Sequence, residues 1–201
     1  SIFYWISQHF QDTGSVADLT VIFKICSLIL IPITIIEVIT PHYISKYYKA
    51  SKNDLLIFSR KISTYKFLSG IIVIALIAIF SKEIILIIFG NKFVELEYFI
   101  KIVAVSFSVK LLFGTAAQIL LLSDKSHILL LIRIFSLISA LLIAFLVELS
   151  FAQIVFLSIL YRSLIEILSY GYVLLIMGIN TIPYFSLFKI RKLFVEDISK
   201  L

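Results

Sequence analysis

The stretch from Phe151 to Ile176 is apolar and long enough to cross a bilayer, yet it carries Arg162 and Glu166 near its middle. At about 1.5 Å of rise per residue a helix here spans roughly 39 Å, which exceeds a hydrocarbon core of about 30 Å and sets Arg162 about 16 Å in. A charge at that depth costs from about 2.5 to more than 10 kcal/mol, so it must face a bundle interior or a wet cavity rather than lipid. The chain is therefore constrained to supply neighbouring helices that enclose the pair.

Composition agrees with a bundle of that kind. Hydrophobic residues make up 61% of the chain and charged residues 15%, and the mean hydropathy is +1.12, far from the balance of a water-soluble domain. The fold class expected is all-α, a polytopic transmembrane helix bundle. The net charge of +6 would suit nucleic acid only on a polar body, and none is present, so no nucleic-acid partner is expected. The only cysteine, Cys26, lies in an apolar run, and His9, His42 and His127 are scattered near membrane edges. Neither a metal site nor a cofactor is expected. No phosphate loop, nucleophile elbow or paired His/Glu helix motif occurs, so the chain is not read as an enzyme.

SIFYWI at the start reads as the apolar end of a preceding helix, residues 1–7, and the chain as a piece of a longer protein. A five-helix transmembrane lobe is expected over residues 8–181. Its first helix runs from about Leu19 to Ile39, kinked at Pro32 and closed by Pro41. The segment after Pro41 reads as a basic loop with Lys46, Lys49, Lys52, Arg60, Lys61 and Lys66. The second helix, Phe67 to Phe80, has Gly70, Ala75 and Ala78 for close packing and extends past Ser81–Glu83 to a stop at Gly90. Tyr98 to Leu122, Ile128 to Val147 and Phe151 to Ile176 follow, the fourth with a small-residue seam of Ser136, Ala140 and Ala144. Residues 182–201 place Leu187, Ile190, Phe194 and Ile198 at helical spacing among basic residues, an amphipathic helix on an anionic membrane surface. Lysines and arginines concentrate in the first loop, at Lys125 and in this tail, against Lys82 and Lys92 on the other side, so the C-terminus is expected in the cytoplasm.

Three helices that descend in the same direction each carry a cation on a polar stripe. Lys24 shares an arc of about 80° with Thr20, Ser27 and Thr34, Lys110 with Ser106 and Gly114 with Gln118 at the edge, and Arg162 with Ser158, Glu166 and Ser169. If the stripes converge they line a cationic cavity near the midplane suited to an anion. Competing structural readings stand beside this one. Arg162 and Glu166, four residues apart, could neutralise each other; Lys24 and Arg133 could snorkel to the headgroups; Glu37 reads as interfacial or structural.

ITPHYISKYYKA, FGNKF and GTAAQILLLSDKSHILL, in that order and orientation, resemble the C-terminal lobe of Wzx-type polysaccharide flippases of the multidrug/oligosaccharidyl-lipid/polysaccharide superfamily. The resemblance covers most of the chain up to about Met177. It implies half of a two-lobe transporter in the bacterial inner membrane, with an N-terminal lobe outside this sequence. It further implies alternating access that moves undecaprenyl-pyrophosphate-linked oligosaccharide to the periplasmic leaflet for O-antigen and lipopolysaccharide synthesis. No cationic position is matched by motif, so Arg162, Lys110, Lys24, Glu166, Ser106, Gln118 and Ser158 stand as substrate-binding candidates from depth and periodicity. A cation-coupled multidrug extruder of the same superfamily would need a deep carboxylate, for which Glu166 is the candidate. A non-transporting membrane subunit of a polysaccharide assembly complex is the other alternative.

Overall fold

A computed structural model describes Phe3, residues 13–147 and residues 149–186. Among the described residues six α-helices follow in order: α1 (Thr13–Ser27), α2 (Leu30–Ala50), α3 (Lys52–Ile88), α4 (Glu97–Leu122), α5 (Ser126–Leu146) and α6 (Phe151–Leu175), with a 3₁₀ segment, Asn91–Leu96, before α4. No strand occurs among the described residues. Among the described residues four helices, α4 taken with its 3₁₀ lead, are long and apolar enough to cross a membrane, and α1 and α2, bent by 57° to one another, reach that length and apolarity only when taken together. α4 is the central element, touching α1, α2, α3, α5 and α6.

Large aliphatic side chains cover the outside. Ile72, Leu76 and Ile79 of α3 and Leu130, Ile134 and Leu142 of α5 are all exposed, a surface that water would not tolerate and lipid would. The inner face of α5 is the seam of Ser136, Ala140 and Ala144, all buried. Small residues there let backbones approach closely, which is how helices pack where lipid removes the hydrophobic driving force. Gly70 of α3 does the same against Leu111 of α4: a Cβ placed on it would collide with the Leu111 side chain, itself buried. Ser63 and Thr115 join the same two helices by a buried hydrogen bond of 2.7 Å. Gly70→Leu is expected to destabilise the chain by about 1–3 kcal/mol through overpacking, read as a lower unfolding midpoint in detergent.

The kink expected from Pro32 is present just upstream of it, and two helix boundaries differ from the sequence reading, each for a physical reason. The first span breaks at Leu28 and Ile29, with a bend of 57°. Pro32 has no N–H to offer the Leu28 carbonyl, and the chain tightens into bonds that reach back three residues instead of four, Leu28 N–H to Ile25 O at 3.1 Å and Ile31 N–H to Leu28 O at 3.2 Å. Pro41 does not close a helix; α2 runs through it to Ala50, so the basic loop expected there is the continuation of α2 and the first turns of α3. Lysine and arginine do not break helices, and their density marks helix ends that project past the apolar zone. The second helix is accordingly much longer than expected. At 37 residues it reaches about 55 Å, well beyond a hydrocarbon core. Its kink falls at Phe80, where the apolar pattern is interrupted, and Gly90 at φ 84° ends it.

The tail differs from the sequence reading only at its start, where it is described. Residues 182–186, expected to begin an amphipathic helix, have no regular secondary structure. After a turn at Gly178, φ 64°, they lie along α3: Arg60 Nε donates to Ile182 O at 3.2 Å, and Tyr184 N–H donates to Thr64 Oγ1 at 2.9 Å. The Arg60 guanidinium lies 4.1 Å from the centre of the Tyr184 ring. Leu187, Ile190, Phe194 and Ile198 lie outside the described residues, as does the stub 1–7 apart from Phe3, whose ring meets Tyr161 edge-on at 5.5 Å.

Candidate functional site: a cationic cavity between four helices

The start of α6 is fixed by a capping box. Ser150 Oγ accepts from Gln153 N–H at 3.5 Å, and Gln153 Oε1 accepts from Ser150 N–H at 2.8 Å. The S-x-x-Q signature satisfies two backbone donors that would otherwise be orphaned. From that anchor the stripe of Ser158, Arg162, Glu166 and Ser169 descends one face of α6, opposite the stripe of α4, with which α6 packs closely.

The two stripes meet at Gly114. Its position is 3.7 Å from Glu166 Oε2 and 3.3 Å from Lys110 Cγ, measured from where a Cβ would stand, so any larger residue would crowd the carboxylate and the lysine stem together. Above this point opens a cavity of about 300 Å³. Ser106, Phe107 and Lys110 of α4 line one wall, Arg162, Ser163 and Glu166 of α6 another, with Arg133 of α5 and Leu30 of α2 completing it. The Arg162 guanidinium lies 4.6 Å from the Phe23 ring centre and 5.4 Å from that of Phe107. Aromatic faces attract a cation and exclude water from it, so they help to hold the group in place. Glu166 Oε2 is buried and accepts no hydrogen bond; Lys110, Lys66, Glu37 and Arg133 all act on it electrostatically.

The structure thus brings Lys110, Arg162, Glu166 and Ser106 to one cavity and adds Arg133, which the sequence reading assigned to snorkelling. Lys24 is exposed at the end of α1 and does not line it. Ser158 is buried and donates to the Val155 carbonyl at 2.7 Å. Gln118 serves a neighbouring ionic group. Lys66 Nζ lies 2.6 Å from Gln118 Oε1 and 3.2 Å from Glu37 Oε1, tying α2, α3 and α4 together. Lys66 is 3% exposed, a buried cation rather than the loop lysine expected. Its signal was in the sequence: Ser59, Ser63, Lys66, Gly70, Ile74 and Ile77 recur at helical spacing and form the buried face of α3.

All-helical architecture, lipid-compatible surface and helix lengths define a multi-pass membrane protein. Comparison with family models, curated proteins and solved structures gave no match for this chain.

Proposed function

We propose that this chain is the substrate-holding half of a bacterial inner-membrane flippase. On this reading it moves undecaprenyl-pyrophosphate-linked oligosaccharide from the cytoplasmic to the periplasmic leaflet by alternating access, with the C-terminus in the cytoplasm and no covalent chemistry. The observation that carries the proposal is the convergence of Lys110, Arg133 and Arg162 on one cavity beside a single lining carboxylate. Lys110, Arg133 and Arg162 all line the cavity, and a low-dielectric surround strengthens the hold of lysine and arginine on an entering anion. A pyrophosphate offers several acceptor oxygens and fits such a set, since arginine and lysine both bind phosphate groups through charge-assisted hydrogen bonds. The resemblance noted in the sequence supplies the oligosaccharide-lipid part of the reading.

The unpartnered Glu166 Oε2 gives the second reading its support: a cation-coupled extruder would use it as the ion site. One titration separates the two. Inorganic pyrophosphate is expected to raise the unfolding midpoint of the full chain in detergent, saturably and less so at high salt, while an organic cation such as ethidium does not. Removing the carboxylate charge with Glu166→Gln is expected to tighten pyrophosphate binding roughly fivefold, about 1 kcal/mol. Stabilisation by ethidium alone, lost in Glu166→Gln, would establish the extruder instead.

A further inference from the structure

Beyond α6 the chain reverses at Gly178 and continues without regular secondary structure to residue 186. Burial alternates along it: Ile179, Thr181 and Pro183 are buried, while Asn180, Ile182 and Tyr184 are half-buried. That is the two-residue period of an extended chain lying on a surface. Its outer side is tied to two helices. Asn180 Oδ1 accepts from the Ile182 N–H at 3.0 Å and from the Tyr170 hydroxyl of α6 at 3.5 Å. Arg60 and Thr64 of α3 hold Ile182 and Tyr184, and Phe185 meets Phe67 edge-on at 5.6 Å. α4 packs closely against both α3 and α6, which scarcely touch each other, so this segment bridges their ends. Its inner side plugs the bundle. Ile179, 2% exposed, joins one apolar cluster with Ile44 of α2, Leu55 of α3, Ile119 of α4, Leu129 of α5 and Val173 of α6.

We infer that residues 178–185 form a hinged strap that closes this lysine-rich end of the bundle over the cavity, with Ile179 as its plug. The device works in the same way whatever the cavity binds. Under Ile179 runs the polar stripe of α6: Ser169 lies one turn from Val173 on the same face, and Glu166 of the cavity is two turns from Val173, about 10 Å along the helix. Withdrawing Ile179 therefore connects the end of the bundle with the cavity. Two observations mark the strap as the part that moves. Gly178 is exposed and carries a positive φ of 64°, a hinge whose backbone is free to rotate without a side chain to clash. Ser169 Oγ and Thr181 Oγ1, beneath and within the strap, are buried without a hydrogen-bond partner. Unmet buried hydroxyls weigh against the closed state, and water reaching them on opening removes that cost. A segment outside any helical ladder, closed at such a cost, opens by itself while α3 and α6 stay folded.

Opening can be read in two ways on the full chain in detergent. Hydrogen exchange followed by mass spectrometry is expected to show the Ile182 and Tyr184 amides exchanging at least about tenfold faster than the amides of α3 and α6 on either side. A thiol placed under the plug reads the same event. Ser169→Cys is expected to react with a water-soluble maleimide, and about tenfold faster when Arg60→Met or Thr64→Val removes a tie to the strap. Lys49→Gln, at an exposed lysine of the same end, should leave that rate unchanged. Cys26, buried beside the Ile100 carbonyl, should stay unlabelled in every variant, and the unfolding midpoint shows that each is folded. Exchange of the strap amides at one rate with α3 and α6 would overturn the strap as a separate moving part. A Ser169→Cys thiol that stays unreactive, or that responds to neither Arg60→Met nor Thr64→Val, would overturn its closure over the cavity.

Discussion

Replacing Lys110 and Arg162 by alanine together is expected to abolish export of surface polysaccharide in cells that depend on the full-length protein, with its abundance in the membrane unchanged. The two substitutions leave Arg133 facing Glu166 in the cavity, a set with no excess positive charge and hence no reason to attract an anion. Each charge-assisted contact to a phosphate is worth about 1.5–3 kcal/mol, so losing both amounts to a fall of about a hundredfold or more in binding. Stability is a separate matter. Arg162 packs on Phe23 and Phe107, and alanine would leave a gap there, so Lys110→Met with Arg162→Met, which keep the apolar stems, should give the same export defect with less loss of stability. Polysaccharide staining of whole-cell lysates reads the first effect and immunoblotting of membranes the second. Normal export from either double variant would sink the cavity assignment.

That Lys110 and Arg162 would face one cavity was easier to anticipate from the sequence than where the helices end, and the physics of each says why. A cation in the middle of an apolar run has few admissible surroundings, so Lys110 and Arg162 announce themselves from depth alone. Glycine at position 114, one turn from Lys110, marks where the neighbouring helix comes close, and the Glu166 carboxylate does lie beside it. Arg133 and Lys66 were harder to read because each stands within reach of a membrane edge, where solvated and buried lysine or arginine follow the same local pattern. Only tertiary contact separates them: Arg133 reaches the cavity through packing of α5 on α6, and Lys66 is enclosed because Glu37 and Gln118 arrive from two other helices. Helix ends suffered for a related reason. Proline was read as a terminator at position 41, whereas within a membrane bundle α2 accommodates it and continues. The same residue type at position 32 does interrupt the helix, and its effect shows upstream, at the carbonyl it fails to serve.

Lys66→Met alone, and Glu37→Leu alone, are each expected to destabilise the chain by about 3 kcal/mol, because either change leaves a charge without its partner between α2, α3 and α4. The low end of the range for a broken buried pair applies, since the Glu37 side chain keeps 28% of its exposure while that of Lys66 keeps 4%. The pair need not be a net source of stability even so. Bringing both charges out of water costs nearly what their attraction returns, and packed apolar residues of like volume often do as well. Lys66→Met with Glu37→Leu should therefore recover most of the loss, to within about 1 kcal/mol of the starting chain, the remainder being Gln118 Oε1 left without the donor it has at 2.6 Å. Unfolding midpoints of the four chains in detergent form the double-mutant cycle. Strong recovery in the double variant locates the value of the pair in holding α2, α3 and α4 in one arrangement beside the cavity. Simple additivity of the two losses would show instead that Lys66 and Glu37 act independently, and the ionic link between those helices would have to be abandoned.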